Sequence, residues 1–163
     1  MSLLSTDDDH DLPATPGTAF RASKLLALAA LGWFGYMVVF VARIYAAGGI
    51  NLVLPIWNAL FAAGMTACVV ELYRDREWAR RLLQSAVLLT GFMNVLVAVK
   101  PGGDHYWIGV VILGMCGWAL HVAGPEYRAR DIGVRPGIVA KVVSWAAVIG
   151  SVIIAVIPNS MLV

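Results

Sequence analysis

Long runs of apolar residues dominate the sequence, and short segments between them carry most of the charges, prolines and paired glycines. A helix that crosses the hydrocarbon core of a bilayer, about 30 Å thick, needs roughly 20 residues. Helices pair their own backbone groups, as a lipid environment demands. We therefore predict an all-α integral membrane protein with five transmembrane helices, none with an Asp or Glu in its apolar part, at about residues 24–46, 52–73, 81–99, 105–123 and 138–157.

The composition supports a membrane protein. Of the 163 residues, 60% are hydrophobic and 13% are charged, whereas about 25% of the residues in an average soluble domain are charged. The first 20 residues differ, because they carry a run of aspartates and little apolar surface to bury. We predict a disordered acidic tail at residues 1–20, followed by a single five-helix transmembrane domain at residues 21–163.

Lys and Arg residues near the helix ends predict the orientation, because short cytoplasmic loops carry an excess of them. Only Arg43 and Lys100 fall on one side of the predicted membrane. We therefore predict a cytoplasmic N-terminus, a C-terminus outside, and a multi-pass protein of the plasma membrane, with the bacterial inner membrane as the favoured case. The ten basic residues on the cytoplasmic side are Arg21, Lys24, Arg74, Arg76, Arg80, Arg81, Arg128, Arg130, Arg135 and Lys141.

Two short loops hold most of these basic residues, and they are candidates to contact anionic lipid headgroups or a cytoplasmic partner. A role in setting the orientation alone is the competing interpretation. At an offset of 54 residues the two loops also align with each other, as do two Gly-Gly turns, so an internal duplication is a further hypothesis. The candidate contact residues are Arg74, Arg76, Arg80, Arg81, Arg128, Arg130 and Arg135.

Residues that could carry chemistry are few. Cys68 and Cys116 are isolated within apolar runs, so neither a CxxC pair nor a zinc site is predicted. No carboxylate lies at mid-depth, which disfavours ion-coupled transport unless a partner supplies one. GxSxG and HExxH motifs are absent. We predict no catalytic residue, no metal and no nucleic-acid partner, and the sequence disfavours an enzyme.

Two asparagines within the apolar runs define a candidate ligand site. Asn58 and Asn94 should lie at a similar depth on antiparallel neighbouring helices, roughly 9 Å below the outer boundary. Arg43 and His105 lie just above them and could complete a polar vestibule open to the outside. The competing interpretation is a hydrogen bond between the two amides, with ordinary loop charges above it.

His121 is the other candidate, because it is the only histidine within a predicted span. It shares a glycine-rich helix face with Gly114, Gly117 and Gly124, where haem or chlorophyll could be bound. The same glycines also suit close packing of two helices. Packing is favoured, so no cofactor is predicted, and haem or chlorophyll bound through His121 is the disfavoured alternative.

Three functional hypotheses follow. The first is a non-enzymatic accessory or assembly subunit of a larger membrane complex, in contact with lipid and with other membrane subunits or its own copies. The second is a small oligomeric transporter or channel with an outer polar vestibule. The third is a redox subunit that binds haem, a pigment or a quinone through His121.

Overall fold

The computed structural model describes residues 16–46 and 53–131. The predicted helix at 138–157, Arg135, Lys141 and most of the predicted acidic tail lie outside the described residues. All secondary structure in the described residues is helical, in five elements: α1 (Thr18–Ala46), α2 (Val53–Tyr73), α3 (Glu77–Ala98), α4 (Tyr106–Val122) and α5 (Gly124–Arg130).

Three of these helices are long and apolar enough to cross a membrane, namely α1, α2 and α3. α4 and α5 meet at a bend of 53° and provide a fourth candidate span when they are taken together. Many large hydrophobic side chains are exposed on the outer surface, as in helices that face lipid; Leu25 and Trp118, for example, are 66% and 70% exposed. The chain is therefore a membrane protein, and the part of it that the structure describes is all-helical.

The four long helices form a closed ring in which each contacts the next along the chain and α4 returns to α1. The short connections make neighbours antiparallel. Between α3 and α4 the chain reverses at Gly102, whose φ of 81° suits glycine. The amide of Gly103 donates to the carbonyl of Lys100 at 2.9 Å, and a Cβ at Gly103 would collide with the end of α3. The Gly-Gly turn at Gly102 and Gly103 is therefore formed.

Eight of the ten basic residues in the described ranges, all except Arg43 and Lys100, collect at one end of this ring, which we call the arginine-rich end. Here α1 begins at Thr18, earlier than the predicted start near residue 24. The added turn is held by α5, because the amide of Gly17 donates to Oε1 of Glu126 at 2.8 Å. A carboxylate at a helix N-terminus satisfies free amides and favours the helix dipole. The hydropathy of the sequence does not predict this contact between Gly17 and Glu126.

α5 packs across the start of α1 through a buried tyrosine. The hydroxyl groups of Tyr127 and Ser23 lie 3.1 Å apart, and the rings of Tyr127 and Phe20 are 4.5 Å apart. Tyr127 has no exposed surface. It is therefore a core residue of the arginine-rich end.

The loop between α2 and α3 is tied to α1 by Lys24. Its ammonium group pairs with the carboxylate of Asp75 and lies over the rings of Phe20 and Tyr73. The hydroxyl of Tyr73 donates in return to the carbonyl of Lys24 at 3.3 Å. Asp75 has a positive φ of 61°, a conformation that Asp tolerates better than most residues. The turn geometry thus aims its carboxylate at α1.

A buried ion pair links α3 to the end of α4. The guanidinium of Arg80 donates two hydrogen bonds to the carboxylate of Glu77, and both side chains are 8% exposed. Its third nitrogen donates to Oε1 of Gln84 at 2.7 Å and to the carbonyl of Leu120 at 2.9 Å. That carbonyl lies in the last turn of α4, where helix carbonyls lack intrahelical partners and attract cations. Gly124 leaves room for the guanidinium, since a Cβ there would stand 3.3 Å from its central carbon.

We predict that Arg80→Met destabilises the protein by about 3 kcal/mol, because it leaves the carboxylate of Glu77 buried with one fewer partner. Adding Glu77→Gln should recover part of the loss. The matched control is Arg74→Met, which removes an exposed pair with Glu71 of the same spacing and should cost less than about 1 kcal/mol. Unfolding in mixed micelles, followed by circular dichroism, measures these differences. Equal losses for the Arg80 and Arg74 variants would contradict the structural role of Arg80.

Candidate functional site

A cavity of about 230 Å³ lies between the four long helices, toward the end of the ring opposite the arginine-rich end. Every long helix contributes to it, and α3 contributes most. The lining residues are Met37 and Val41 of α1, Trp57, Asn58 and Phe61 of α2, Leu89, Thr90, Met93, Asn94 and Val97 of α3, and Tyr106 of α4.

The lining is mainly aromatic and aliphatic, with a few polar groups and no ionisable Asp, Glu, Lys, Arg or His side chain among its residues. Asn58 and Asn94 both line it, so the structure brings together the two asparagines singled out by their predicted depth. Asn94 is 5% exposed. Apolar walls with a small number of placed polar groups are the usual make-up of small-molecule sites.

Two buried N–H donors lack an acceptor among the described residues: Nδ2 of Asn94, a residue that lines the cavity, and Nε1 of Trp33, a residue that does not. Trp33 is 7% exposed. Both groups lie against Gly109 of α4, where an added Cβ would overlap the indole ring and stand 2.6 Å from Nδ2 of Asn94. Asn94 therefore does not donate the hydrogen bond that was a competing prediction for the two asparagines. Gly109 permits α1, α3 and α4 to approach at this point.

The remaining predicted vestibule residues do not line the cavity. Arg43 is exposed in the last turn of α1. His105 precedes α4 and is partly buried, with its ring 5.2 Å from Phe40 and 4.3 Å from Tyr106. Nε2 of His105 is buried and has no hydrogen-bond partner among the described residues. His105 thus supports Tyr106, which does line the cavity.

His121 lies on the exposed surface of α4, with its ring 6.3 Å from that of Trp118. The glycines of its predicted face divide between two environments. Gly117 packs against Leu88 of α3, whereas Gly114 is exposed and open. Any ligand bound through His121 would be on the outside of the described bundle, and the prediction of haem or chlorophyll there is untested.

The candidate contact arginines also divide. Arg80 is buried in its pair with Glu77, and so it is not available to lipid or to a partner. Arg76 and Arg130 are partly buried. Arg74, Arg81 and Arg128 are exposed and retain the predicted role as a hypothesis.

The sequence did not identify Tyr106, which lines the cavity. It also did not identify Trp33 and Gly109, which pack beside Asn94 without lining the cavity. Trp33 carries a usable signal, because it lies well inside an apolar run, and a buried tryptophan usually needs a partner for its N–H. Gly109 carries a weaker one, since glycines in transmembrane helices mark close approaches. Neither signal identifies the helix that the residue meets.

Comparison with other proteins gives no further guide to the site, because no protein-family model, no curated protein and no solved structure matches this chain. Within the described ranges, no group of three or more His, Cys, Asp or Glu side chains is placed to hold a metal ion.

We predict that Gly109→Ala destabilises the protein by about 1–3 kcal/mol, because the new methyl group overlaps Trp33 and Asn94. Gly114→Ala on the same helix meets no atom within 4 Å and should be neutral, or stabilising by up to about 1 kcal/mol. Melting temperatures of the purified variants in one detergent distinguish the two. A Gly109 variant as stable as the Gly114 variant would contradict the close packing at this point.

Proposed function

We propose that this chain is a non-enzymatic accessory or assembly subunit of a larger membrane complex. The observation that carries the proposal is the outer face of α2. Ala59, Ala63 and Ala67 follow one another at intervals of one helical turn, and all three are exposed. Small residues at this spacing let a second transmembrane helix approach closely.

α2 is suited to this role by its place in the ring. Its inner face packs on α1 and α3, where Met65 and Leu72 are buried, so the alanine face is left for a further neighbour. Between helices in lipid, association depends on close van der Waals packing more than on hydrophobicity. The alanines offer that close approach, and the exposed side chains of Ile56, Leu60 and Val70 on the same face of α2 offer further apolar contact beside them.

The exposed charges extend this surface beyond the membrane-spanning part of α2. Arg74 directly follows α2, and its side chain is 66% exposed although it is paired with Glu71. A partner helix along the alanines would therefore end near a basic group. We infer that an acidic juxtamembrane segment on the partner is favoured.

The complete topology belongs to the same proposal: five spans, the N-terminus in the cytoplasm and the C-terminus outside, in a plasma membrane that we take to be the bacterial inner membrane. It is supported by the collection of basic side chains at one end of the described helices, with only Arg43 and Lys100 toward the other. Basic residues retained on the cytoplasmic side are the strongest general determinant of orientation.

A small oligomeric transporter or channel is the second candidate, and the cavity favours it. Because its lining has no ionisable Asp, Glu, Lys, Arg or His side chain, the transported molecule would be uncharged and its movement uncoupled from ions. Uptake or efflux by vesicles that contain the protein, lost on Asn58→Leu or Asn94→Leu, would favour this function over the first.

The orientation predicts a labelling pattern on intact cells. Single cysteines at Arg74→Cys and Arg128→Cys should react with an impermeant maleimide only after permeabilisation, whereas Lys100→Cys should react without it. All three positions are exposed, and the native Cys68 and Cys116 are buried. Labelling of the Arg74→Cys and Arg128→Cys variants in intact cells would contradict this orientation and indicate the opposite one.

The accessory role predicts stoichiometric co-purification of one or more membrane proteins after mild solubilisation. Ala63→Phe should lower their recovery severalfold, because the ring prevents close approach of a helix. Val111→Phe introduces the same ring on an exposed face of α4 and should leave recovery unchanged. Isolation of the chain as a lone homo-oligomer, or equal recovery with both variants, would contradict the proposal.

A further inference from the structure

We propose that the outer face of α1 is an internal docking surface, covered by residues 138–157 of the same chain, the predicted fifth span. This segment runs parallel to α1 and starts from the arginine-rich end. The inference rests on the five-span topology of the proposed function and goes beyond it, because it gives the fifth span a definite neighbour. The alanine face of α2 then remains free for a partner.

The outer face of α1 has a shallow centre, because Ala29, Gly32 and Gly35 are small and exposed. A Cβ added to either glycine would meet no atom within 4 Å among the described residues. Leu25 and Val39, which are 66% and 52% exposed, stand at the two ends of this recess. Small residues between larger ones let a second transmembrane helix approach closely. The described helices leave this recess uncovered.

The course of the described chain brings its last residues to α1. α5 leads from the end of α4 to the start of α1, where Glu126 accepts a hydrogen bond from the amide of Gly17. The guanidinium of Arg130 lies 4.9 Å from the centre of the Phe20 ring. Only the six residues 132–137 then precede the predicted span. Six residues reach at most about 20 Å, roughly two helix diameters, so the span begins close to α1.

The sequence of the predicted span offers a face that suits this recess. On a helix that turns by 100° per residue, one arc of about 80° contains only alanine and serine over the whole of residues 138–157. Such a face brings two backbones together, as the glycines of α1 do. The residues of this arc, which we call the small-residue face, are Ala140, Ser144, Ala147, Ser151 and Ala155.

Depth in the membrane selects the residues that meet. α1 and the predicted span both start from the arginine-rich end, so they are parallel, and each residue of a helix advances by about 1.5 Å. Gly32 lies eight residues after the predicted start of its span at residue 24, and Ala147 lies nine residues after residue 138. We therefore expect Ala147 to lie opposite Gly32.

Two other exposed faces compete for the predicted span, and both suit it less well. The outer face of α4 has one open glycine, Gly114, among Val111, Met115 and Trp118, which are all more than half exposed. The alanine face of α2 is farther along the ring from α4 and α5, because α2 and α4 lie on opposite sides of α1. The recess on α1 is the nearest face with several small residues.

The experiment is disulfide cross-linking of the full chain in membranes. Residues 132–137 are replaced by a protease site of equal length, and cleavage after oxidation leaves a C-terminal tag on the full-length band only where a disulfide joins the span to a described helix. Ala147→Cys is combined in turn with Gly32→Cys, Gly114→Cys and Ala63→Cys. We expect at least fivefold more cross-linking with Gly32→Cys than with either of the others.

Two controls complete the cross-linking series. Ile149→Cys lies on the side of the predicted span opposite the small-residue face, and it should not cross-link to Gly32→Cys. Ala147→Cys alone shows that the native Cys68 and Cys116, both buried, do not contribute. Ser144→Cys and Ser151→Cys, on the same face as Ala147, extend the series by one helical turn in each direction.

Stability gives a second and independent measurement. Gly32→Leu and Gly114→Leu both place a side chain where the described residues leave open space. If residues 138–157 cover α1, Gly32→Leu overpacks the contact and lowers the melting temperature by about 2–6 °C. Gly114→Leu should leave the melting temperature unchanged or raise it, because leucine favours a helix more than glycine does. Equal responses of the two variants would count against the contact.

Several outcomes would overturn the inference. Cross-linking of the span through Gly114→Cys in place of Gly32→Cys, or through none of the three positions, would overturn it alone. Cross-linking through Ala63→Cys would also fill the face on which the accessory role rests. Disulfide-linked dimers of Gly32→Cys would place a second copy of the chain on α1.

Failure of the topology is distinguished from failure of the docking surface by labelling. In permeabilised cells a cysteine at Ala147→Cys should not react with the impermeant maleimide, because it lies within the membrane. Reaction there would show that residues 138–157 do not span, and would overturn the five-span topology together with this inference. Recovery of partners with Ala63→Phe tests the accessory role separately.

Discussion

The arrangement of the bundle depends most on the hydrogen bonds that the guanidinium group of Arg80 donates. A charge buried at a helix end is tolerated only when its hydrogen-bonding groups are paired, and here they join Glu77 and Gln84 of α3 to the last carbonyls of α4. α4 ends beside this charge, and the chain bends by 53° at Ala123, between α4 and α5. The bend then lays α5 across the start of α1, where Glu126 and Tyr127 make their contacts.

Hydrogen bonds and ion pairs between different helices are concentrated at the arginine-rich end. Charged, hydroxyl and backbone groups on four helices and a loop are joined there, although Nε of Arg130 is buried without a partner among the described residues. Toward the other end, Nε1 of Trp33, Nδ2 of Asn94 and Nε2 of His105 are buried without partners among the described residues. Because paired polar networks make an arrangement rigid, the helices are held together mainly at the arginine-rich end.

Hydropathy was sufficient to locate α2, α3 and α4, because length and apolarity decide what can cross a bilayer. It also placed Asn58 and Asn94 together, since the depth of two residues on antiparallel neighbours follows from helical rise alone. The role of Arg80 could not be predicted in the same way. A count of basic residues treats a buried arginine and an exposed one alike, and only the carbonyl of Leu120, on another helix, distinguishes them. The contact between Trp33 and Gly109 likewise depends on the packing of α4 against α1. Helical rise does not determine which helices are neighbours.

Membrane insertion and lipid attraction depend on the charges of the arginine-rich end in different ways. The described part of this end carries eight basic and five acidic side chains, so its net charge is about +3. Several of the basic groups have a carboxylate beside them, as in the pairs Lys24–Asp75, Arg80–Glu77 and Arg130–Glu126. During insertion lysines and arginines resist translocation, whereas carboxylates contribute little, so all eight basic residues influence the orientation. The attraction of the folded protein for anionic lipids depends on the net charge, and the acidic side chains therefore weaken it without weakening the signal for orientation.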